Sequence, residues 1–220
     1  MSVTPDASWA EVTAWIEKSP VVVDVRPPQS TATTATTMGL NPSSYLHALA
    51  QNSSGLTIDS GWFRLLGGSS DDGLPGLDEA NGAASDLLVV AFDVLGGVFA
   101  LDGGALGAGD GSVHHLSVDT LQWERLDLSY PAFVAAMLGG ATTAFYESLR
   151  WPGWESEVAV LRPDQGLSLY PFPFTQEGKD VSACARQAVP FTELIDLHND
   201  LAKQLNGPGA APDIPRPVSG

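Results

Sequence analysis

Apolar and polar positions change period along this 220-residue chain, and the changes divide it into helices and strands. Residues 8–18, SWAEVTAWIEK, set Trp9, Val12, Trp15 and Ile16 at helical spacing, with Ser8 as N-cap and Glu11 at the capping-box position. VVVDV (21–25) is a β-branched strand, and the Thr/Ala-rich stretch 26–37 after it reads as a low-complexity loop that does not pack. Asn41-Pro42 opens a second helix through Tyr45, Leu46 and Leu49, with Asn41 as its N-cap. LTI and WFRLL are two strand pieces broken at Asp59-Ser60-Gly61. Four β-prone runs follow at 87–92, 97–101, 112–117 and 121–128, and their brief linkers predict an antiparallel meander rather than βαβ units.

Beyond Pro131 the period returns to that of helices, in PAFVAAML, ATTAFYESLR and WESEVAVL. GLSLYPFPFT (166–175) is extended and held by Pro171 and Pro173, which suits a sheet edge. FTELIDLHNDLAKQL (191–205) carries Leu194, Ile195, His198, Leu201 and Leu205 on one stripe. The expected architecture is one α+β domain over 1–205. Its central antiparallel sheet is covered by helices on one side and extended by a C-terminal helical part. Residues 206–220, with four prolines and few apolar side chains, are expected to be a disordered, dispensable tail.

The stretch DVLGGVFALDGG (93–104) carries the sharpest chemical question. Asp93 and Asp102 each precede glycines, so they suit either an acid pair or two turns. As exits of neighbouring antiparallel strands they lie at opposite ends of the hairpin, roughly 15 to 20 Å apart at about 3.3 Å per residue. An acid/base pair needs about 5 to 9.5 Å, so turn chemistry is the expectation, with Gly96 and Gly97 as turn or pocket candidates.

Composition narrows the classes. Net charge is −16, and residues 59–119 hold ten acidic groups against one basic residue, Arg64. Such a field repels phosphate backbones and anionic lipid, so nucleic-acid and membrane partners are not expected, whereas a basic protein is attracted. No apolar run approaches the roughly 20 residues of a membrane span, and the N-terminus lacks a leader pattern, which predicts a cytoplasmic location. The lone Cys184 supports neither a disulfide nor a zinc site.

No phosphate-binding glycine motif or nucleophile elbow is present, and no His/Cys/Asp spacing suits a metal, so no cofactor is expected. His114 and His115 point to opposite faces of a strand, and one of them belongs in the core. Aromatics are the more informative groups: Trp62, Trp123, Trp151, Trp154, Phe145 and Tyr146 are core residues wherever buried, and contact residues wherever exposed.

GWFRLLG, FDVLGGVFALDGGALG, VDTLQWERL, FYESLRWPGWE and DQGLSLYPFPFT resemble the bacterial domain-of-unknown-function family 2625, over roughly residues 8 to 197. More remotely, residues 40–140 are similar in element order to the SUKH superfamily, whose α+β members include bacterial immunity proteins that neutralise toxin domains. That likeness implies binding and transfers no catalytic residue. The expectation is a non-enzymatic protein-binding module for a basic partner such as a toxin domain, with Asp71, Asp72, Asp78 and Glu79 as its acidic surface. The alternative is a small-ligand-binding protein or hydrolase-like enzyme with an acidic cleft around Asp93, Asp102, Asp110 and His114 or His115.

Overall fold

The computed structural model describes residues 5–29, 33–70, 73–81, 86–207 and 212–215. Seven strands form one sheet in strict chain order, each antiparallel to the next: β1 (Val23–Arg26), β2 (Gly55–Ile58), β3 (Phe63–Leu66), β4 (Leu87–Asp93), β5 (Val98–Asp102), β6 (Val113–Leu116) and β7 (Trp123–Arg125). The four runs between 87 and 128 are therefore the expected meander, and the fold is α+β. The break at Asp59-Ser60-Gly61 is a hairpin turn, with positive φ at all three residues.

Period-2 alternation sends consecutive side chains to opposite faces. Phe63 lies on the first face with Leu65, Ala91 and Phe99, and Phe133 of α5 (Tyr130–Ala136) packs there at 5.8 Å from Phe63 and 5.2 Å from Phe99. Arg64 and Phe92 lie on the second face. That face receives a two-stranded sheet, β8 (Gln165–Tyr170) with β9 (Ala185–Pro190), and the C-terminal helix α8 (Phe191–Asn206). Phe191 stands 4.7 Å from Phe92 and under the Arg64 guanidinium. One side of the sheet thus has helices, and the C-terminal extension covers the other.

Several local expectations are corrected. Helix α1 (Pro5–Glu17) starts ahead of Ser8, which is buried inside the helix and donates to Ser43 O across the packing seam, so Ser8 is not its cap. Helix α3 (Tyr45–Asn52) begins after Ser44, whose side chain accepts from His47 N; Asn41 instead accepts from Ser43 N in the preceding turn. The stretch 26–37 is not an unpacked loop throughout. Residues 30–32 lie outside the described residues, but α2 (Thr34–Thr37) buries Thr34 and Ala35 completely or nearly so. Thr34 Oγ1 donates to Asp78 Oδ1 at 3.1 Å and accepts from Ser69 N. Strand β9 has no counterpart among the elements that the sequence pattern predicts.

The tail is also corrected where it is described. Ile214 is buried, and Asn199 of α8 holds its backbone in both directions, accepting from Ile214 N at 2.8 Å and donating to Ile214 O. Residues 208–211 and 216–220 lie outside the described residues. Along α8, Leu194, Ile195 and His198 are buried as the stripe predicts, while Leu205 at the last turn is exposed. Among the described residues no helix is long and apolar enough to cross a membrane.

Candidate functional site

The DVLGG turn is built around the carboxylate of Asp93. Leu95 N–H and Gly97 N–H both donate to Asp93 Oδ1 at 2.9 Å, closing the β4–β5 hairpin from within. Gly97 is dictated by this geometry, since a Cβ there would lie 2.1 Å from Asp93 Oδ2. Gly96 has φ +91 and passes beneath His198, whose Nδ1–H donates to Gly96 O at 3.2 Å. Burial lowers the His198 pKa, so the ring is a neutral lid over the turn.

The second oxygen of Asp93 faces the interior. His115 Nε2 stands 3.9 Å away, and the two side chains are 5% and 1% exposed. His115 is stacked on Phe99 and meets the edge of Phe145. Tyr146, fully buried, has its pKa pushed well up by burial first and by the Asp93 carboxylate next, although no hydrogen bond of normal geometry joins them. Asp93 Oδ2, His115 Nε2, Tyr146 Oη and Trp62 Nε1 are all buried without a hydrogen-bond partner among the described residues. Asp93 and His115 are the residue types of acid/base chemistry, held 3.9 Å apart, beyond the roughly 2.6 to 3.2 Å of a direct proton-transfer hydrogen bond.

Asp102 lies at the other end of the hairpin, beside Leu87, whereas Asp93 lies beside Phe63. Asp102 accepts from Gly104, Leu106, Ala108 and Gly109 N–H, at 2.8, 2.9, 2.8 and 3.0 Å. Burial works to raise its pKa, but the four N–H groups outweigh it and hold the carboxyl down at about 2. The glycine-rich loop therefore encloses the protein's own carboxylate instead of a phosphate. Asp110 is hydrogen-bonded to Ser112 and Arg125, which lower its pKa, and His114 donates from Nδ1 to Ser112 O. The proposed acidic cleft does not form: Asp93 and Asp102 are separated by the length of the strands, and His114 and His115 face opposite ways. Among the described residues no three His, Cys, Asp or Glu side chains gather as a metal site.

A second cluster adjoins the first through Trp62. The Arg150 guanidinium lies 4.1 Å over Trp154 and 5.0 Å over Trp62, and its Nη2 donates to Asp59 Oδ2 at 2.5 Å. Thr142 Oγ1 donates to the same oxygen at 2.7 Å. Trp62, Tyr146 and Trp154 are buried around it and Trp151 packs on Trp62 beneath Arg186, so these aromatics are core rather than contact surface. Sequence reasoning missed the roles of Arg64, Tyr146, Arg150 and His198. For Arg64 a signal existed, as the one basic residue among ten acidic ones. Its Nη1 donates to the carbonyls of Pro163 and Gln165, tying β3 to the start of β8, and burial lowers its pKa to about 10.

Of the nominated acidic surface, Asp71 and Asp72 lie outside the described residues. Asp78 is engaged by Thr34 and Ser69, and Glu79 accepts from Gly76 N at 2.8 Å, so both carboxylates are engaged within the chain, at the start of the short helix Leu77–Asn81. Trp123 on β7 is only half buried, donating to Pro212 O at 3.4 Å. Beside it a shallow notch of about 490 Å³ is lined by Leu106, Leu121, Gln122 and Asn206, and exposed Asp119, Glu124 and Asp127 belong to the same β6–β7 region.

Residues 2–194 match the family described as protein of unknown function DUF2625. Over 200 residues the chain is 30% identical to a putative uncharacterized protein, YbfG, of Escherichia coli K12, covering 88% of this chain and 91% of that one. An uncharacterized protein of Haemophilus influenzae is 34% identical over 169 residues, covering 72% and 74%. With a family match over nearly its whole length and a relative of this extent, the chain belongs to the DUF2625 family.

Proposed function

We propose that the chain is a protein-binding module that acts through its surface and not by turnover, with its contact face at the β7 end of the sheet. The observation that carries this reading is a contrast in access. Asp93 and His115, the best-matched acid/base residues, are sealed, whereas Trp123 is half buried beside a notch, and Asp119, Glu124 and Asp127 are exposed along the same strand and its flanking turns. A partly exposed tryptophan is a frequent anchor of an interaction hot spot, and exposed carboxylates nearby in the chain attract a basic partner. With a net charge of −16, the partner that fits is basic. The narrower form of the reading is neutralisation of a basic toxin domain, which the likeness of residues 40–140 to SUKH immunity proteins supports.

The test is capture from the native host, at about 50 mM and about 500 mM salt, with wild type and with the Trp123→Ala variant that also carries Asp119→Asn, Glu124→Gln and Asp127→Asn. A basic protein retained stoichiometrically at low salt, lost at high salt and lost in the variant is the expected result, followed by one-to-one rebinding of the purified pair. Retention that ignores both salt and the four substitutions overturns the assignment of this face. Turnover of an ester or phosphoester that disappears in Asp93→Asn overturns the non-enzymatic reading.

A further inference from the structure

The other end of the sheet has a different character. β1 pairs with β2 on one side, and among the described residues no strand lies beyond it. Asp59 N–H donates to Val22 O, and Val22, Asp24 and Arg26 stand opposite Asp59, Thr57 and Gly55 in one register. By antiparallel alternation the main chain of Asp24 is spent on β2, and the N–H and C=O groups of Val23 and Val25 point away from the sheet. Apolar side chains gather along the same edge: Val22 is 68% exposed, Val25 is 37% exposed, and Pro27 and Pro28 are exposed too. On one face the edge is flanked by an open notch of about 370 Å³, lined by Val22, Asp24, Arg26, Val158 and Leu161.

We infer that this edge pairs with β1 of a second copy of the chain, antiparallel and centred on Val25, to make a continuous sheet across a two-fold axis. Charge selects the register. Centred on Asp24, the pairing would set two carboxylates directly opposite each other, which is destabilising. Centred on Val25, it sets Asp24 opposite Arg26 of the second copy, and Arg26 opposite the second copy's Asp24. These are non-hydrogen-bonded positions of the new ladder, where side chains come closest. Arg26 has an interaction within its own chain, which the pairing would share. Val25 meets its own symmetry mate through two reciprocal N–H···O bonds. Val22 is covered by Pro28, and the ladder ends at Pro27, which has no N–H to donate. Charged residues and prolines ordinarily keep an edge strand single. Here the Asp-Val-Arg order makes the same charges self-complementary, as an isologous contact requires. A strand this short gives a small interface, so the dimer is transient, with dissociation between about 10 µM and several hundred µM.

Sedimentation velocity over about 5 to 500 µM tests this. Wild type is expected to move from monomer towards dimer. Asp24→Arg and Arg26→Asp, each confirmed as folded by circular dichroism, are each expected to associate at least about tenfold more weakly, while their equimolar mixture regains wild-type association as a heterodimer. The doubly exchanged chain, Asp24→Arg with Arg26→Asp, is self-complementary again and serves if either single variant fails to fold. Hydrogen exchange supplies a second readout, with protection rising with concentration at the Val23 and Val25 amides but not at Asp24. Wild type that stays monomeric throughout, a dimer indifferent to the single substitutions, or exchanged charges that fail to restore association would each overturn the inference. None of these outcomes bears on the β7 face, so the two proposals fail separately.

Discussion

Asp93 and Asp102 end consecutive strands, and each is followed within a few residues by paired glycines, yet they do opposite things. Asp102 is a closed account: both of its oxygens accept two backbone N–H groups, and the loop 104–109 exists around that carboxylate. Asp93 is closed on one side only. Its Oδ1 makes the turn, and its Oδ2 is left buried beside His115 and Tyr146. The difference teaches that an Asp-Gly turn signal specifies local hydrogen bonds and leaves open what the rest of the carboxylate meets. That is decided by whichever elements pack over it: a glycine loop at Asp102, and β6 with the 142–149 helical segment at Asp93.

The largest expected effect separates the glycines beside the two residues. Gly97→Ala places a methyl 2.1 Å from Asp93 Oδ2 and should cost about 3 kcal/mol or more, because the buried carboxylate has nowhere to move. In Gly103→Ala the nearest obstacle is Asp86 O at 3.1 Å, and about 1 kcal/mol is expected. Urea unfolding of the two variants compares them directly, and equal losses would mean that the two turns are equally tight.

Next in size is Asp102 itself. Its folded pKa of about 2 lies below the unfolded value of about 3.9, so the unfolded chain binds more protons in acid. The contribution, on the order of 2 kcal/mol, is complete above about pH 5 and is lost as pH falls towards 2. Asp102→Ala should remove it at neutral pH and flatten the acid limb of a stability–pH profile; an unchanged limb would show that the four N–H groups do not hold the charged form.

The smallest effect is expected at the open side of Asp93. His115 Nε2 has no hydrogen-bond partner, so His115→Phe, which keeps the stack on Phe99, should change stability by no more than about 1 kcal/mol. A loss of several kcal/mol would mean that the His115–Asp93 contact is a strong ion pair despite its 3.9 Å separation.

Much of the fold was legible in the chain because the signals were local. The runs at 87–128 alternate and are separated by turn residues, so their meander follows from short-range geometry, and α8 announces itself by its stripe. β9 was illegible for a physical reason: among the described residues it pairs only with β8, and it is mostly exposed, so ARQAVP carries no apolar alternation. Thr34, Ala35 and Ile214 were misjudged because small or isolated apolar groups are buried only when a distant surface is waiting for them. The caps at Ser8 and Asn41 failed similarly, as each side chain found a better use in tertiary packing or a preceding turn.

At the site, the sequence by itself determined that Asp93 and Asp102 are turn carboxylates at opposite ends of a hairpin, since strand rise and antiparallel order leave no other placement. It also determined the acidity that sets the sign of any partner's charge. Only the tertiary structure decided that Trp62, Tyr146 and Trp154 surround Arg150 while Trp123 remains half exposed, and that His115 meets Asp93 but is closed from solvent. Those outcomes depend on which faces of remote elements meet. Burial is a property of the assembled layers, and no local period encodes it.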